Sequence, residues 1–266
     1  MDLGIKNRVA LVLGAGGGLG RAIAVSLTGE GARLAIADIN AKALEETADA
    51  VAAAGPKGQQ KNVSAHAFDL SDLPTIDAQI GMIEKEFGPV DILINNTGGP
   101  PPAPAAGQDS AAWRRAFDTM VAPIIAITDR VLPGMRERGW GRIITSTSSG
   151  VIAPIPNLAF SNALRATLVG WSKTLASEVA RDGVTVNIIV PGRIATGRTQ
   201  FLDQAKAGRQ GRALDEVVRE SNLSIPTGRY GRPEEYADTI AYLASDRASY
   251  ITGSVVRVDG GLLANL

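Results

Sequence analysis

In the segment LAFSNALRATLVGWSK (158–173), a hydroxyl at Ser161 and a cation at Arg165 stand at i and i+4 of a helical pattern, on one face and within reach of one ligand. Upstream, GRIITSTSSG (141–150) is a strand-like run ending in hydroxyl residues, among them Ser148. Ser148 and Ser161 can each donate a hydrogen bond to a carbonyl oxygen. The Arg165 fork can hold ribose hydroxyls, a substrate carboxylate or a developing oxyanion. Neither serine is a proton donor-acceptor of the usual kind at neutral pH, because its hydroxyl needs a base to ionise. Arg165 cannot be that base: a guanidinium with a pKa above about 12 stays protonated. A carbonyl held between these groups could be polarised by them, with any proton delivered through water. Lacking a positioned general acid forfeits on the order of 10²–10⁴ in rate.

The strongest local signal lies near the N-terminus, in LVLGAGGGLGRAIA (11–24). Gly14, Gly18 and Gly20 follow a strand and open a helix with small residues on its first turns. This pattern supplies a tight turn, close approach of backbone N–H groups to a pyrophosphate, and close helix–sheet packing. An acid, Asp38, ends the next strand in LAIADIN (34–40), where a carboxylate accepts from an adenosine ribose and repels a 2′-phosphate. The loop has Gly17, not a basic residue, before Gly18, and Arg21 and Arg33 are the nearest cations. NAD(H) is therefore favoured, with NADP(H) as the alternative.

Other residues capable of chemistry are assigned elsewhere. The single histidine, His66, lies inside the third strand and reads as structural or surface. Tyr230, Tyr236, Tyr242 and Tyr250 fall in the C-terminal region and read as helix-packing or interface residues. Arg193 and Arg198 flank the loop after the sixth strand, where two readings stay open: binders of an anionic substrate, or solvated loop arginines. Leu164, Leu168, Trp171 and Leu175 form a helical stripe read as core or subunit interface.

These residues need a scaffold, and the pattern predicts one. VALVLG (9–14), RLAIAD (33–38), SAHAFD (64–69), DILIN (91–95), GRIITST (141–147), VTVNIIV (184–190) and SVVRVD (254–259) read as strands. Their near-continuous hydrophobicity suggests burial on both faces. Amphipathic helices lie between them, one stopping at Gly55 and another at Gly88. The alternation predicts an α/β fold: a Rossmann-type doubly wound, seven-stranded parallel sheet flanked by helices on both faces. No linker divides the chain, so residues 1–266 are expected to form one domain. GGPPPAPAAG (98–107) reads as a stiff loop after the fourth strand. A polar helical insertion at about 195–226 is expected to cover the substrate, since both segments leave carboxyl ends of strands.

Composition narrows the class. Lys+Arg and Asp+Glu are both 27, giving a formal net charge of zero, so nucleic acid is not expected as a partner. The absence of cysteine excludes a disulfide framework, a thiolate nucleophile and a Cys-ligated metal, and no metal site is expected. MDLGIKNRVALVLGAGGG has no signal-peptide character, and no run approaches the roughly eighteen apolar residues that span a bilayer. A cytoplasmic globular protein without a membrane partner is the expectation.

From about Asn7 onward the chain resembles a short-chain dehydrogenase/reductase. The glycine loop is similar to that family's Gly-x-x-x-Gly-x-Gly form, with Leu13 where Thr is usual, which implies cofactor binding at Gly14, Gly17, Gly18, Leu19 and Gly20. FDLSD implies an adenine contact at Asp69 and Leu70. NNTGG (95–99) resembles the Asn-Asn-Ala-Gly segment and implies Asn96 and Gly98 beside the ribose. VPGRIAT (190–196) resembles the stretch that holds the nicotinamide carboxamide, implying Pro191, Gly192, Ile194 and Thr196. The family's usual site is Asn, Ser, Tyr and Lys. Ser148 keeps the Ser, whereas Ser161 takes the Tyr position, Arg165 the Lys position and Met120 the Asn position, with Phe160 alongside. The resemblance also implies a dimer or tetramer built on paired long helices.

Three readings follow. One is an NAD(P)(H)-dependent oxidoreductase acting on a small carbonyl or alcohol, with Ser148, Ser161 and Arg165 as its altered catalytic set. Another is a non-redox lyase, isomerase or dehalogenase on the same scaffold; halohydrin dehalogenases pair Ser and Tyr with an Arg, but lose the nucleotide loop. The last is a nucleotide-sensing protein without catalysis.

Overall fold

Strand β1 (Val9–Leu13) is VALVL, apolar throughout with two β-branched valines, and all five residues are buried. Such a strand can only sit centrally, and it does: β2 (Arg33–Asp38) pairs on one side and β4 (Ile92–Asn95) on the other, both parallel. In the computed structural model, which describes residues 2–55 and 62–265, these strands join β3 (Val63–Ala67), β5 (Gly141–Ser146), β6 (Val184–Pro191) and β7 (Val255–Val258). The order is β3-β2-β1-β4-β5-β6-β7, and every pairing is parallel. The sequence-based expectation of a seven-stranded, doubly wound parallel sheet holds.

Two of the seven runs are not buried on both faces. β3 and β7 are the sheet edges, and both are largely half-exposed. β3 also begins at Val63 and stops at Ala67, two residues short of the expected Asp69, because Phe68 already pairs back to the Asp38 carbonyl and the chain turns there.

Helices cover both faces. Helices α1 (Gly18–Gly29), α2 (Ala41–Ala54) and α9 (Pro233–Leu243) pack on one face around Ile23, Leu27, Leu44 and Ile240. Helices α3 (Ile76–Phe87), α5 (Ala122–Glu137) and α6 (Ala159–Val179) cover the other around Ile80, Ile127 and Leu175. α2 is opened by Asn40, whose side chain accepts from Ala43 N at 3.1 Å, and ends at Gly55 in an extended conformation. Gly88, closing α3, has φ +87°, a left-handed geometry that favours glycine.

A separate apolar cluster joins α4 (Ser110–Met120) to the first half of α6: Met120, Val121, Ile124, Phe160, Leu164 and Leu168. The Leu164–Leu175 stripe is therefore core. After β6 come α7 (Gly197–Gln210) and α8 (Leu214–Leu223), within the span expected for the helical insertion. Among the described residues, no helix is long and apolar enough to cross a membrane.

Candidate active site

The strand order reverses direction between β1 and β4, and in open α/β sheets that divergence opens a crevice at the carboxyl ends. A cavity of about 450 Å³ lies there, walled by the glycine loop, the segment after β4, the end of β5, the start of α6 and the β6–α7 turn.

The glycine loop is shaped for close approach. Gly14 and Gly18 have φ +60° and +53°. Asn96 donates to the Leu13 and Gly14 carbonyls at 3.3 and 3.1 Å, so a side chain at position 14 would collide with it. A Cβ at Gly20 would run into the Gly14 carbonyl, which is why α1 can pack directly on the loop. Gly17, at the N-cap of α1, faces open space and provides no side-chain cap, leaving first-turn amides of α1 without a side-chain acceptor. Uncapped amides at a helix N-terminus, lined by glycine, are the donor set a pyrophosphate requires. Across the cavity Thr196 opens α7, accepting from Thr199 N at 3.3 Å, and its side chain lies 3.5 Å from where a Gly18 Cβ would stand.

Asp38 lines the same cavity; its carboxylate accepts from Gly16 N at 2.9 Å and Asn40 N at 3.0 Å. Both nearby cations are engaged. Arg21 donates to Thr47 Oγ1 at 3.0 Å, Glu46 at 3.0 Å and the Gly16 carbonyl at 3.3 Å. Arg33 donates to the Phe87 carbonyl at 2.8 Å and lies over the Phe87 ring.

Ser148, Ser161 and Arg165 all line this cavity, together with Gly14, Gly17, Gly18, Leu19, Asn96, Gly98, Pro191, Gly192, Ile194 and Thr196. Three expected residues do not: Gly20, buried beneath the loop, and Asp69 and Leu70. The exposed Asp69 carboxylate instead accepts from the Ser71 backbone at 2.9 Å and hydroxyl at 2.8 Å. The chain turns away from the crevice where β3 ends early.

The end of the cavity lined by Ser148, Ser161 and Arg165 is unusual in its hydrogen bonding. Ser148 Oγ accepts from Gly150 N at 3.1 Å, which leaves its own hydrogen free to donate. Ser161, in the first turn of α6, is nearly buried, and its hydroxyl has no hydrogen-bond partner among the described residues. Arg165 is buried at 7% exposure. It donates through Nη1 to the Ser146 carbonyl at 3.1 Å and through Nη2 to the Thr97 and Gly98 carbonyls at 3.1 and 3.2 Å. Its side chain thus crosses from α6 to the ends of β4 and β5, leaving Nε–H and one Nη1 hydrogen uncommitted. Burial pushes the Arg165 guanidinium down to about 10, with nearby Tyr236 raising it and Arg198 lowering it further. It remains charged at neutral pH.

A tyrosine does lie near Arg165, on the other side of the sheet. Tyr236 of α9 is fully buried, and its hydroxyl shares a hydrogen bond with Ser146 Oγ at 2.8 Å. Burial raises its pKa above the ordinary phenol value, and it does not line the cavity. Met120 is buried in the α4–α6 cluster and carries no polar relay, and Phe160 packs edge-on against Trp113 at 4.6 Å. His66 is on the edge strand β3, bonded to Ser64 Oγ at 2.8 Å and lowered in pKa chiefly by burial.

Of the two loop arginines, Arg193 is neutralised. It pairs with the buried Asp203 carboxylate, which also accepts from the Tyr230 hydroxyl at 2.8 Å. Arg198 has no such partner: it donates to the Pro100 carbonyl at 2.7 Å, and no carboxylate pairs with it among the described residues. Nothing in local sequence separates these two arginines. The partner of Arg193 lies ten positions downstream, on α7.

Comparison with known proteins agrees with this geometry. Residues 14–263 match the family model described as Enoyl-(Acyl carrier protein) reductase. Nodulation protein G of Azospirillum brasilense is 36% identical over 263 residues, covering 97% of this chain and 99% of that protein. The FabG protein of Escherichia coli (strain K12), a 3-oxoacyl-(acyl-carrier-protein) reductase, is 35% identical over 98% of this chain and 99% of its own. Among solved structures, L-sorbose reductase from Gluconobacter frateurii, complexed with NADPH and L-sorbose, superposes with a TM-score of 0.90 at 31% identity over 100% of both chains. YwfH, an NADPH dependent reductase involved in bacilysin biosynthesis, gives a TM-score of 0.91 at 30% identity over 97% of this chain and 99% of that one.

Proposed function

The chain belongs to the short-chain dehydrogenase/reductase family of nicotinamide-dependent oxidoreductases, and from that membership we propose that it reduces a small carbonyl compound, or oxidises the matching alcohol, through an altered catalytic set. One observation carries the proposal: the glycine cradle and the hydroxyls of Ser148 and Ser161 face a single cavity. A nicotinamide dinucleotide, held by the glycine loop, Asp38, Asn96 and the Pro191–Thr196 turn, supplies the hydride when bound.

The remaining work falls to this chain's own side chains. Ser148 accepts from a backbone amide and so has its hydrogen free to donate to a substrate oxygen. Ser161 likewise has a free hydroxyl in the wall. Arg165 holds a positive charge in a water-poor position beside both, favouring charge that develops on that oxygen. Neither serine ionises near neutrality, so the proton reaches the oxygen through water. α7 and α8, in the 195–226 insertion, form the cover over the substrate.

NAD(H) is the preferred cofactor in this reading, with NADP(H) as the alternative. Asp38 stands where a 2′-phosphate would meet a carboxylate, and Arg21 and Arg33 are already engaged. A cytoplasmic homodimer or homotetramer built on the long helices completes it.

Purified protein assayed with NADH and NADPH against a carbonyl panel is expected to oxidise NADH faster than NADPH, and Ser148→Ala is expected to slow turnover by about tenfold. The rate should stay within about twofold between roughly pH 6 and 9, because no cavity side chain changes charge there, and fall only as Arg165 loses its proton at about 10. Conversion of substrate with no nicotinamide added would instead favour a lyase or dehalogenase.

A further inference from the structure

We propose that Arg198 is a specificity-determining residue that binds a carboxylate on the substrate, so that the carbonyl compound reduced is an oxo acid. The inference rests on the oxidoreductase reading above and names its substrate class.

Charges around the cavity are unevenly placed. Asp38 sits at the glycine-loop end, bound to Gly16 N. At the other end stand Arg165, Arg193 and Arg198, of which only Arg193 has a carboxylate partner among the described residues. Arg165 is tied to three backbone carbonyls and buried, so it supplies charge more than reach. Arg198 differs. It carries one hydrogen bond, to the Pro100 carbonyl, and lies 5.5 Å from the Phe201 ring. The rest of its fork, with the geometry that matches a carboxylate through two parallel N–H bonds, is open to an incoming anion.

Its seat is built for it. A Cβ at Gly99 would stand 2.8 Å from Arg198 Nη2 and 3.0 Å from Cζ and Nε, so the guanidinium packs closely over Gly99 and a side chain there would displace it. The Pro100 contact joins it to the 98–107 loop, and that loop bonds through Ala103 to the entry of α6, which carries Ser161. Arg198 is thereby linked, through the 98–107 loop, to the segment that carries Leu158 and Ser161. Ile155, Leu158 and Leu202 give the cavity an apolar surface for a short carbon skeleton. A half-buried guanidinium without a counter-ion is costly, and an anionic ligand removes the cost. Burial also pushes Arg198 down from its ordinary pKa, in keeping with a partly desolvated charge.

The balanced reaction is simple. The carbonyl carbon gains a hydride from the reduced dinucleotide, which is left oxidised, and the oxygen takes a proton from water, giving the hydroxy acid.

The test uses 2-, 3- and 4-oxo acids, each beside its methyl ester, with wild-type protein, Arg198→Met and Arg198→Lys. For wild type, kcat/KM for the best acid should exceed that for its ester at least tenfold. Arg198→Met should collapse this ratio about tenfold or more, mainly through KM, while Arg198→Lys retains part of it. Dinucleotide dissociation constants, measured by calorimetry, should not follow the ratio. Equal use of acid and ester by wild type would overturn the inference. So would weaker dinucleotide binding in Arg198→Met with the ratio intact, which would assign Arg198 to the cofactor pyrophosphate. Should no carbonyl be reduced, the oxidoreductase reading fails separately. Calorimetry of acids against esters on dinucleotide-loaded protein then decides: acid binding lost in Arg198→Met supports the carboxylate site, and no acid binding overturns it.

Discussion

Ser161→Tyr is expected to raise the rate of carbonyl reduction by about 10²-fold or more, the gain a positioned general acid supplies. Position 161 lines the cavity, lies in the first turn of α6 and stands one turn before Arg165. A phenol there would sit beside a permanent positive charge, which draws its pKa below the ordinary value near 10 towards operating pH. The sign of the pH effect follows. Reduction needs the protonated phenol, so its rate should fall as pH rises through the new pKa, whereas alcohol oxidation needs the phenolate and should rise. The parent should show neither limb below about pH 9, since Tyr236 is sealed in the opposite face with a raised pKa. Rate profiles in both directions check this. An unchanged rate with a normally folded variant would mean that position 161 does not face the substrate oxygen.

The second large effect concerns Arg165→Met. Three backbone carbonyls, those of Ser146, Thr97 and Gly98, lose their donor at once. Each charge-assisted bond is worth about 1.5–3 kcal/mol, but losing the charge also removes the penalty of burying it. A net loss of about 2–4 kcal/mol is expected, and the ends of β4 and β5 that form the cavity floor should loosen. Dinucleotide affinity should fall at least tenfold as a result. Arg165→Lys should lose about half as much stability, since one ammonium keeps the charge but cannot span all three acceptors. Urea unfolding of the three proteins provides the measurement. Arg165→Met as stable as the parent would mean that the guanidinium is a ligand-binding group and not a strut.

Much of this molecule can be read in one dimension. Continuous runs such as VALVL and RLAIAD could only be buried strands, and their alternation with amphipathic helices implied the parallel order. Glycines at positions 14, 18 and 20 declared a backbone-lined turn, because a side chain at 14 or 20 would collide with main chain and Gly18 holds φ +53°. The helical i, i+4 spacing placed Ser161 and Arg165 in one wall. What Arg165 does with its nitrogens was illegible, because its acceptors are main-chain carbonyls and those carry no residue signature. The Tyr236–Ser146 bond joins residues 90 positions apart, through the sheet. The difference between Arg193 and Arg198 depends on a carboxylate and a phenol brought in by α7 and by the segment before α9. Asp69 and Leu70 stand off the cavity wall because the edge strand β3 ends where its partner β2 does, a matter of sheet register and not of local composition.

The bridge between Ala103 and the entry of α6 has a mechanical implication. Ala103 N donates to the Asn157 carbonyl at 2.8 Å, and Ala159 N donates to the Ala103 carbonyl at 3.2 Å. Two main-chain bonds thus yoke the proline-rich segment to the turn that presents Ser161, and Asn157 holds φ +59° to make the join. A ligand too bulky for the wall cannot push that segment aside without dragging the hydroxyl out of register. Substrate range is therefore expected to be tuned through α7, whose Leu202 lines the same cavity, leaving residues 98–107 alone.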